Sequence, residues 1–190
     1  MFMSSAVKGF TLIELMMTLS IAAILLTIAV PSYITFTQNS RITAQTNKVI
    51  AAVSLARGEA SKRGTRVVLC RSNEVGQADP DCSGNSGTAK DWSNGWLVFA
   101  VGTARSTPLY DPAQNDVLIA QFETEDNIMI KTVGANDKNL EFNPDGTTNE
   151  GGGTAKFAIC DDRGAAKGKL VEVSPVGRPV SSSADTCAPV

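Results

Sequence analysis

The sequence predicts an α+β protein in which one long N-terminal helix carries a head of short antiparallel strands. An apolar run over residues 10–30 holds a single full charge, Glu14. From Arg41 to Arg63 the apolar residues recur at helical spacing. Beyond them, short runs rich in branched and aromatic residues alternate with polar, Gly-rich or Pro-containing turns, as antiparallel strands require.

Residues 1–9, MFMSSAVKG, form a short polar leader with two candidate initiators, Met1 and Met3. The apolar run that follows is twenty-one residues long. At ~1.5 Å per residue it makes a helix of about 32 Å, enough to cross the hydrocarbon core of a bilayer. A secretory signal would end its apolar core in a small-residue cleavage site. Here Gly9 precedes the core, so a cut after Gly9 leaves the hydrophobic helix on the mature chain. Lys8 keeps the N-terminus cytoplasmic by the positive-inside rule and sends the rest of the chain across. Ionisable groups inside a span cost several kcal/mol and mark function through a partner, which makes Glu14 the unusual residue of the run.

Pro31 follows the run and is placed to bend the helix. Ile42, Val49, Val53, Ala56 and Ala60 then recur at threes, fours and sevens, an amphipathic continuation of the anchor. Lys62 and Arg63 suit the negative helix end, and Gly64 is a suitable stop. The helix so predicted runs about 54 residues, ~80 Å. Strands are expected at 66–70, 95–101, 117–122, 128–133, 140–142, 154–160 and 169–174. One face of their sheet is expected to bury Val53 and Leu55. The stretches 83–94 and 145–153 are expected to be too polar to pack. The expected domain plan is a leader at 1–9, a membrane half of the helix at 10–30, an amphipathic half at 31–64 and a globular head at 65–190.

Composition excludes much. With no histidine, there is no His-based triad and no imidazole proton shuttle. Four cysteines, Cys70, Cys82, Cys160 and Cys187, all follow the apolar run. An even count on the translocated side reads as two disulfides in an oxidising periplasm. Four cysteines allow three connectivities. Cys70–Cys82 with Cys160–Cys187 is favoured, because each bond joins a strand-like segment to a nearby loop or tail. The spacings are not those of a metal cluster. Glu123, Glu125 and Asp126 with Asp145 match no calcium-loop pattern, and Gly151-Gly152-Gly153 lacks the lysine and helix of a phosphate loop. No cofactor, metal or catalytic residue is expected, and the chain is not read as an enzyme. Charge is uneven: residues 41–66 carry six basic residues against Glu59, a balance of +5, whereas residues 67–190 carry ten basic and seventeen acidic residues, a balance of −7. Trp92, Trp96 and Phe99 read as core or sheet-face aromatics, and Asn143-Pro144-Asp145-Gly146 as a turn.

The motif GFTLIEL at residues 9–15 resembles the start of type IV prepilins. Four later stretches resemble the minor pilin family of FimU, FimT and GspH, the H-type pseudopilins, and FimU most closely. They are LARGEASKRGTRVVLC at 55–70, DWSNGWLVF at 91–99, LEFNPDGT at 140–147 and FAICDDRGAAKGKLVEVSPVGR at 157–178. The resemblance implies a type IV pilin fold and cleavage between Gly9 and Phe10 by a prepilin peptidase. It also implies N-methylation of Phe10, and a Glu14 carboxylate that meets the N-terminal amine of a neighbouring subunit. The implied partners are other minor and major pilins, with inner-membrane lipid before assembly.

Three roles follow: a minor pilin that initiates or caps a type IV pilus, an H-type pseudopilin of a type II secretion system, or a FimT-like DNA-uptake receptor. The receptors carry Gly-Arg-x-Arg near the C-terminus, where this chain has Gly177-Arg178-Pro179-Val180, so DNA is the disfavoured partner. Its contacts would be Arg57, Lys62, Arg63, Arg66, Lys167, Lys169 and Arg178. The minor-pilin role is the favoured one. Mass spectrometry of the processed chain should find methylated Phe10 at its N-terminus; any other first residue removes the prepilin reading.

Overall fold

The computed structural model describes residues 9–77, 80–82, 91–103, 109–133, 139–149 and 153–187. Lys8, the candidate initiators, residues 83–90 of the polar loop and Gly151-Gly152 lie outside them. The chain divides into two compact units, Met1–Asn39 and Ser40–Val190.

One helix, α1 (Leu12–Arg63), begins in the first unit and ends in the second. Thr11 caps it: its hydroxyl accepts from the Glu14 backbone N–H at 3.3 Å, satisfying one of the donors a helix start leaves open. The helix continues through Pro31 although that residue has no N–H to give. It stops at Gly64, whose φ of 64° is the left-handed conformation of a C-terminal cap, and whose N–H donates to Ala60 O at 3.0 Å.

In the second unit α1 buries Ile42, Gln45, Thr46, Val49, Ala52, Val53, Ala56 and Ala60. That is one stripe of a 3.6-residue period, and it contains every apolar position read from the sequence. Leu55 is only half-buried. The stripe shares a core with strands β1 (Val67–Arg71), β2 (Gly95–Ala100), β3 (Val117–Glu123), β4 (Met129–Val133), β5 (Asn139–Phe142), β6 (Ala155–Cys160) and β7 (Lys169–Val173), while an eighth strand, β8 (Pro179–Ser183), is largely exposed.

These strands form two four-stranded sheets, β3-β2-β1-β5 and β4-β6-β7-β8, with every neighbouring pair antiparallel. Two sheets replace the single one expected, because β5 returns to β1 while β4 pairs forward with β6. One core serves both: Val67, Val98 and Phe142 of the first sheet join Ile130, Phe157 and Val171 of the second. Strand β8 was not expected at all. The polarity of 83–94 also misled, since Trp92, read as a core or sheet-face aromatic, is 2 % exposed and meets Phe157 edge-on at 5.1 Å, and its backbone N–H donates to Ile130 O at 2.8 Å. Likewise Thr148 is buried, in a stretch expected not to pack.

Two sheet edges are partly closed by the chain itself. Thr148 bridges to Phe142 and Asn149 N–H donates to Glu141 O beside β5. Asp91 bridges to Lys131 beside β4.

Helix and sheets also meet at one basic side chain. Gly146, φ 81°, closes the turn after β5, and Gly177, φ 73°, closes the turn between β7 and β8. Thr148 N–H donates to Pro175 O at 2.8 Å, tying the two connections together. Arg57 of α1 runs along both glycines: a Cβ on Gly146 would lie 3.1 Å from Arg57 Nε, and one on Gly177 would lie 3.1 Å from Arg57 Cδ and collide with Gly146 O. Gly164 has a similar φ of 76° but open space around it. Gly164→Ala should therefore cost only the backbone penalty of its φ 76°, ψ −164° conformation, which essentially only glycine adopts, about 1–3 kcal/mol. Gly177→Ala should cost a left-handed penalty of about 1–2 kcal/mol plus about 1–3 kcal/mol of overpacking. Denaturant unfolding followed by tryptophan fluorescence checks this; equal losses would mean that Arg57 yields freely.

Candidate assembly site

In the first unit the apolar residues of α1 face outward: Leu12 is 77 % exposed and Phe36 69 %. The helix is long and apolar enough to cross a membrane. Within residues 12–30 its hydroxyl groups are all bonded to its own backbone. Thr18 donates to Leu15 O at 2.9 Å, Ser20 to Met16 O at 2.8 Å, and Thr27 to Ile24 O at 2.6 Å. Thr35 donates to Pro31 O at 3.1 Å in the same way. In a medium without water each of these groups would otherwise be costly. Glu14 is the exception. Its carboxylate is exposed and has no side-chain partner among the described residues. The first turn of α1 offers it the positive end of the helix dipole and nothing more specific. Gly9 and Phe10 lie just ahead of the helix, both exposed.

The cations of the second unit are largely committed. Lys62 and Arg63 both pair with Glu59, and Arg66 meets Glu141 at 3.1 Å with both side chains mostly buried. Lys48 reaches Glu125 at 3.3 Å across a cleft of about 600 Å³ lined also by Arg41, Asp126 and Asn127. Arg57 and Arg178 are exposed, and Lys167 is exposed at the end of a short 3-10 turn. Lys169 is half-buried on β7.

No group of three or more Cys, Asp or Glu side chains suited to a metal ion occurs among the described residues. The Asp145 carboxylate accepts instead from Thr147, from N–H at 2.9 Å and hydroxyl at 2.6 Å. These bonds hold its pKa below the usual carboxylate value, the hydroxyl bond most of all.

Two disulfides tie the second unit: Cys70 on β1 to Cys82, and Cys160 at the end of β6 to Cys187 in the tail. Closing the second loop, of sequence separation 27, constrains the unfolded chain by about 3–4 kcal/mol in the entropic account.

The comparisons with known proteins agree with this geometry. Residues 45–177 match the family described as Type II transport protein GspH, and residues 4–30 match the prokaryotic N-terminal methylation motif. The chain belongs to the GspH family. It is 35 % identical over 101 residues to the type IV major fimbrial protein FimA of Dichelobacter nodosus, covering 51 % of this chain and 63 % of that protein. The chain thus spans less than two thirds of that relative's length. Two crystal structures of the type IV minor pilin FimU of Pseudomonas aeruginosa share the fold. One gives a TM-score of 0.57 over 80 % of this chain and 99 % of FimU, at 18 % identity. The other gives 0.54 over 77 % and 99 %, at 17 % identity. The fold is that of a type IV pilin, as the resemblance implied.

Asp161, next to Cys160, is 4 % exposed. Burial pushes its pKa up, but hydrogen bonds from the Arg163 side chain and backbone, with the guanidinium charge, more than offset this and hold it below the ordinary value. A depressed folded pKa stabilises above the unfolded pKa of about 3.9, and this is lost as pH falls through the lower folded value. Asp161→Asn should therefore lower stability at pH 7 by about 1–3 kcal/mol and flatten its decline below about pH 4. Urea midpoints measured across that range provide the check, and unchanged acid sensitivity would exclude Asp161 as a contributor.

Proposed function

We propose that this GspH-family chain is a minor pilin that helps initiate or cap a type IV pilus. In this reading residues 1–9 are a leader removed by a prepilin peptidase, and Phe10 becomes the methylated N-terminus. Residues 10–30 span the inner membrane, residues 31–64 continue the helix outside it, and the head at 65–190 faces the periplasm before assembly. The role is structural rather than catalytic. Its partners are other minor and major pilins.

The observation that carries the reading is Glu14. It is the one acidic group of the apolar segment 12–30, whose hydroxyls are satisfied internally, so its counter-charge has to come from another molecule. A neighbour's N-terminal amine, created by a cut after Gly9, has the required charge and lies at the same level of a parallel helix.

A second reading, an H-type pseudopilin of a type II secretion system, is favoured by the matched family's description. A DNA-receptor role has less support. Three of its seven candidate contacts, Lys62, Arg63 and Arg66, are already ion-paired within the chain. The acidic balance of 67–190 would also repel phosphate.

Glu14→Leu removes a polar group from an apolar segment and should leave membrane insertion unchanged. Incorporation into filaments should fall sharply, by roughly tenfold for an ion pair worth about 1.4 kcal/mol. Counting surface pili, twitching and protein export in strains carrying wild type, the Leu variant or no copy separates the readings. Loss of pili supports the pilus role, loss of export the secretion role, and normal filament incorporation of the variant argues against any pairing by Glu14.

A further inference from the structure

Along α1 the hydroxyls are closed onto the helix backbone as far as Thr27. The next two, those of Ser32 and Tyr33, have no hydrogen bond among the described residues. Just before them Pro31 has no N–H to give, so the carbonyl one turn earlier loses its usual donor. Three open polar groups therefore fall within two turns of each other. At the other end of the run the open group is the Glu14 carboxylate. Tyr33 comes nineteen positions after Glu14, about 28 Å of helix at ~1.5 Å per residue. The hydrocarbon core of a bilayer is about 30 Å thick.

The helix surface stays apolar through this second level. Ile28, Tyr33, Ile34 and Phe36 are each more than half exposed, and at about 100° per residue they point to all sides of the helix. A groove on one partner protein would cover a single side. Apolar groups on every side call for a surrounding medium instead. Tyr33 combines an apolar ring with an open hydroxyl, the character of side chains that collect where hydrocarbon meets headgroup. Phe36 stands almost one turn further on, and residues 37–40 then read Thr-Gln-Asn-Ser, polar and uncharged.

We infer that Tyr33 and Phe36 seat α1 in the phospholipid headgroup layer of the outer leaflet, while Glu14 lies at the inner one. The inference rests on the reading of α1 as a membrane anchor and adds its depth. Residues between Glu14 and Ser32 fill the hydrocarbon core, so the helix needs little tilt to match the bilayer. The Ser32 and Tyr33 hydroxyls and the carbonyl freed by Pro31 meet headgroups and water, where an open polar group is cheap. Glu14 is likewise solvated at the inner surface until a counter-charge reaches it.

The test uses the full chain, dilute in vesicles of phosphatidylethanolamine and phosphatidylglycerol with no other protein. All four native cysteines are in disulfides, so a nitroxide label attaches only to a cysteine introduced at Ile24, Ser32 or Ser40. Relative access of oxygen and of a nickel chelate gives the depth of each label. Ile24→Cys should lie near the bilayer centre, Ser32→Cys at the phosphate level and Ser40→Cys in water. Tyr33→Ala with Phe36→Ala should shift the Ser32→Cys label by about 3 Å or more, two residues of helix rise. Tyr33→Trp with Phe36→Trp should hold it in place. A Ser32→Cys label as deep as Ile24→Cys, or one unmoved by the double alanine variant, would overturn the inference. Dipolar broadening between labels would overturn it too, by assigning this surface to a second copy. Water access at Ile24→Cys would instead remove the membrane-anchor reading beneath it.

Discussion

One stripe of α1 carries the head. Ile42, Val49, Ala52, Val53, Ala56 and Ala60 are almost completely buried, and they share one core with residues of both sheets. Neither sheet of four strands has a partner sheet hydrogen-bonded to it, so each hides its inner face against this helix and against the other's aromatic residues. Small alanines at the C-terminal end of the stripe leave the bulk to Trp92, Trp96, Phe142 and Phe157. Gln45 sits in the same stripe, fully buried, with neither amide atom hydrogen-bonded. An unsatisfied buried polar group costs about 1–3 kcal/mol, so the apolar residues around it supply more than the net stability suggests.

The charge imbalance of the sequence is resolved mostly inside the chain. A helix balance of +5 against a later balance of −7 suggests a bipolar molecule waiting for partners. In the structure Lys48 turns to Glu125 and Arg66 to Glu141, each crossing from helix or helix end to a sheet connection or strand. Arg57 is held differently, by the aliphatic part of its side chain lying along two glycines. Its charge remains outside while its stem is part of the joint, as long cationic side chains allow.

The helix and seven strands were legible because each announces itself locally. Periodicity marks the buried stripe, Gly64 marks its end, and β-branched runs mark the strands. What was not legible depends on distant partners. Nothing in PVSSS signals a strand; it is one because β7 presents an edge and a disulfide holds the tail beside it. Trp92 itself was legible as a core or sheet-face aromatic, but not that its polar stretch would pack with it; that depends on Phe157, sixty-five positions later. Gln45 has the right spacing and the wrong chemistry, so a pattern of apolar residues passes over it. Division into two sheets rests on β5 returning to β1, which no local signal encodes. Among single residues, Glu14 stood out in the sequence because a carboxylate in an apolar run needs a reason. Arg57 did not, since a basic residue on a helix surface is ordinary.

The internal bonding of the anchor's hydroxyls has a thermodynamic consequence. Thr18, Ser20, Thr27 and Thr35 take their acceptors with them wherever the helix goes. Lipid tails and the packed side chains of other helices are therefore nearly equivalent solvents for this segment. Moving between them neither breaks nor makes a hydroxyl bond, and the free-energy difference reduces to packing plus whatever becomes of one carboxylate. In the proposed assembly, a segment with so small a partition difference would exchange reversibly between the two surroundings, and a single charged group would be enough to set the direction.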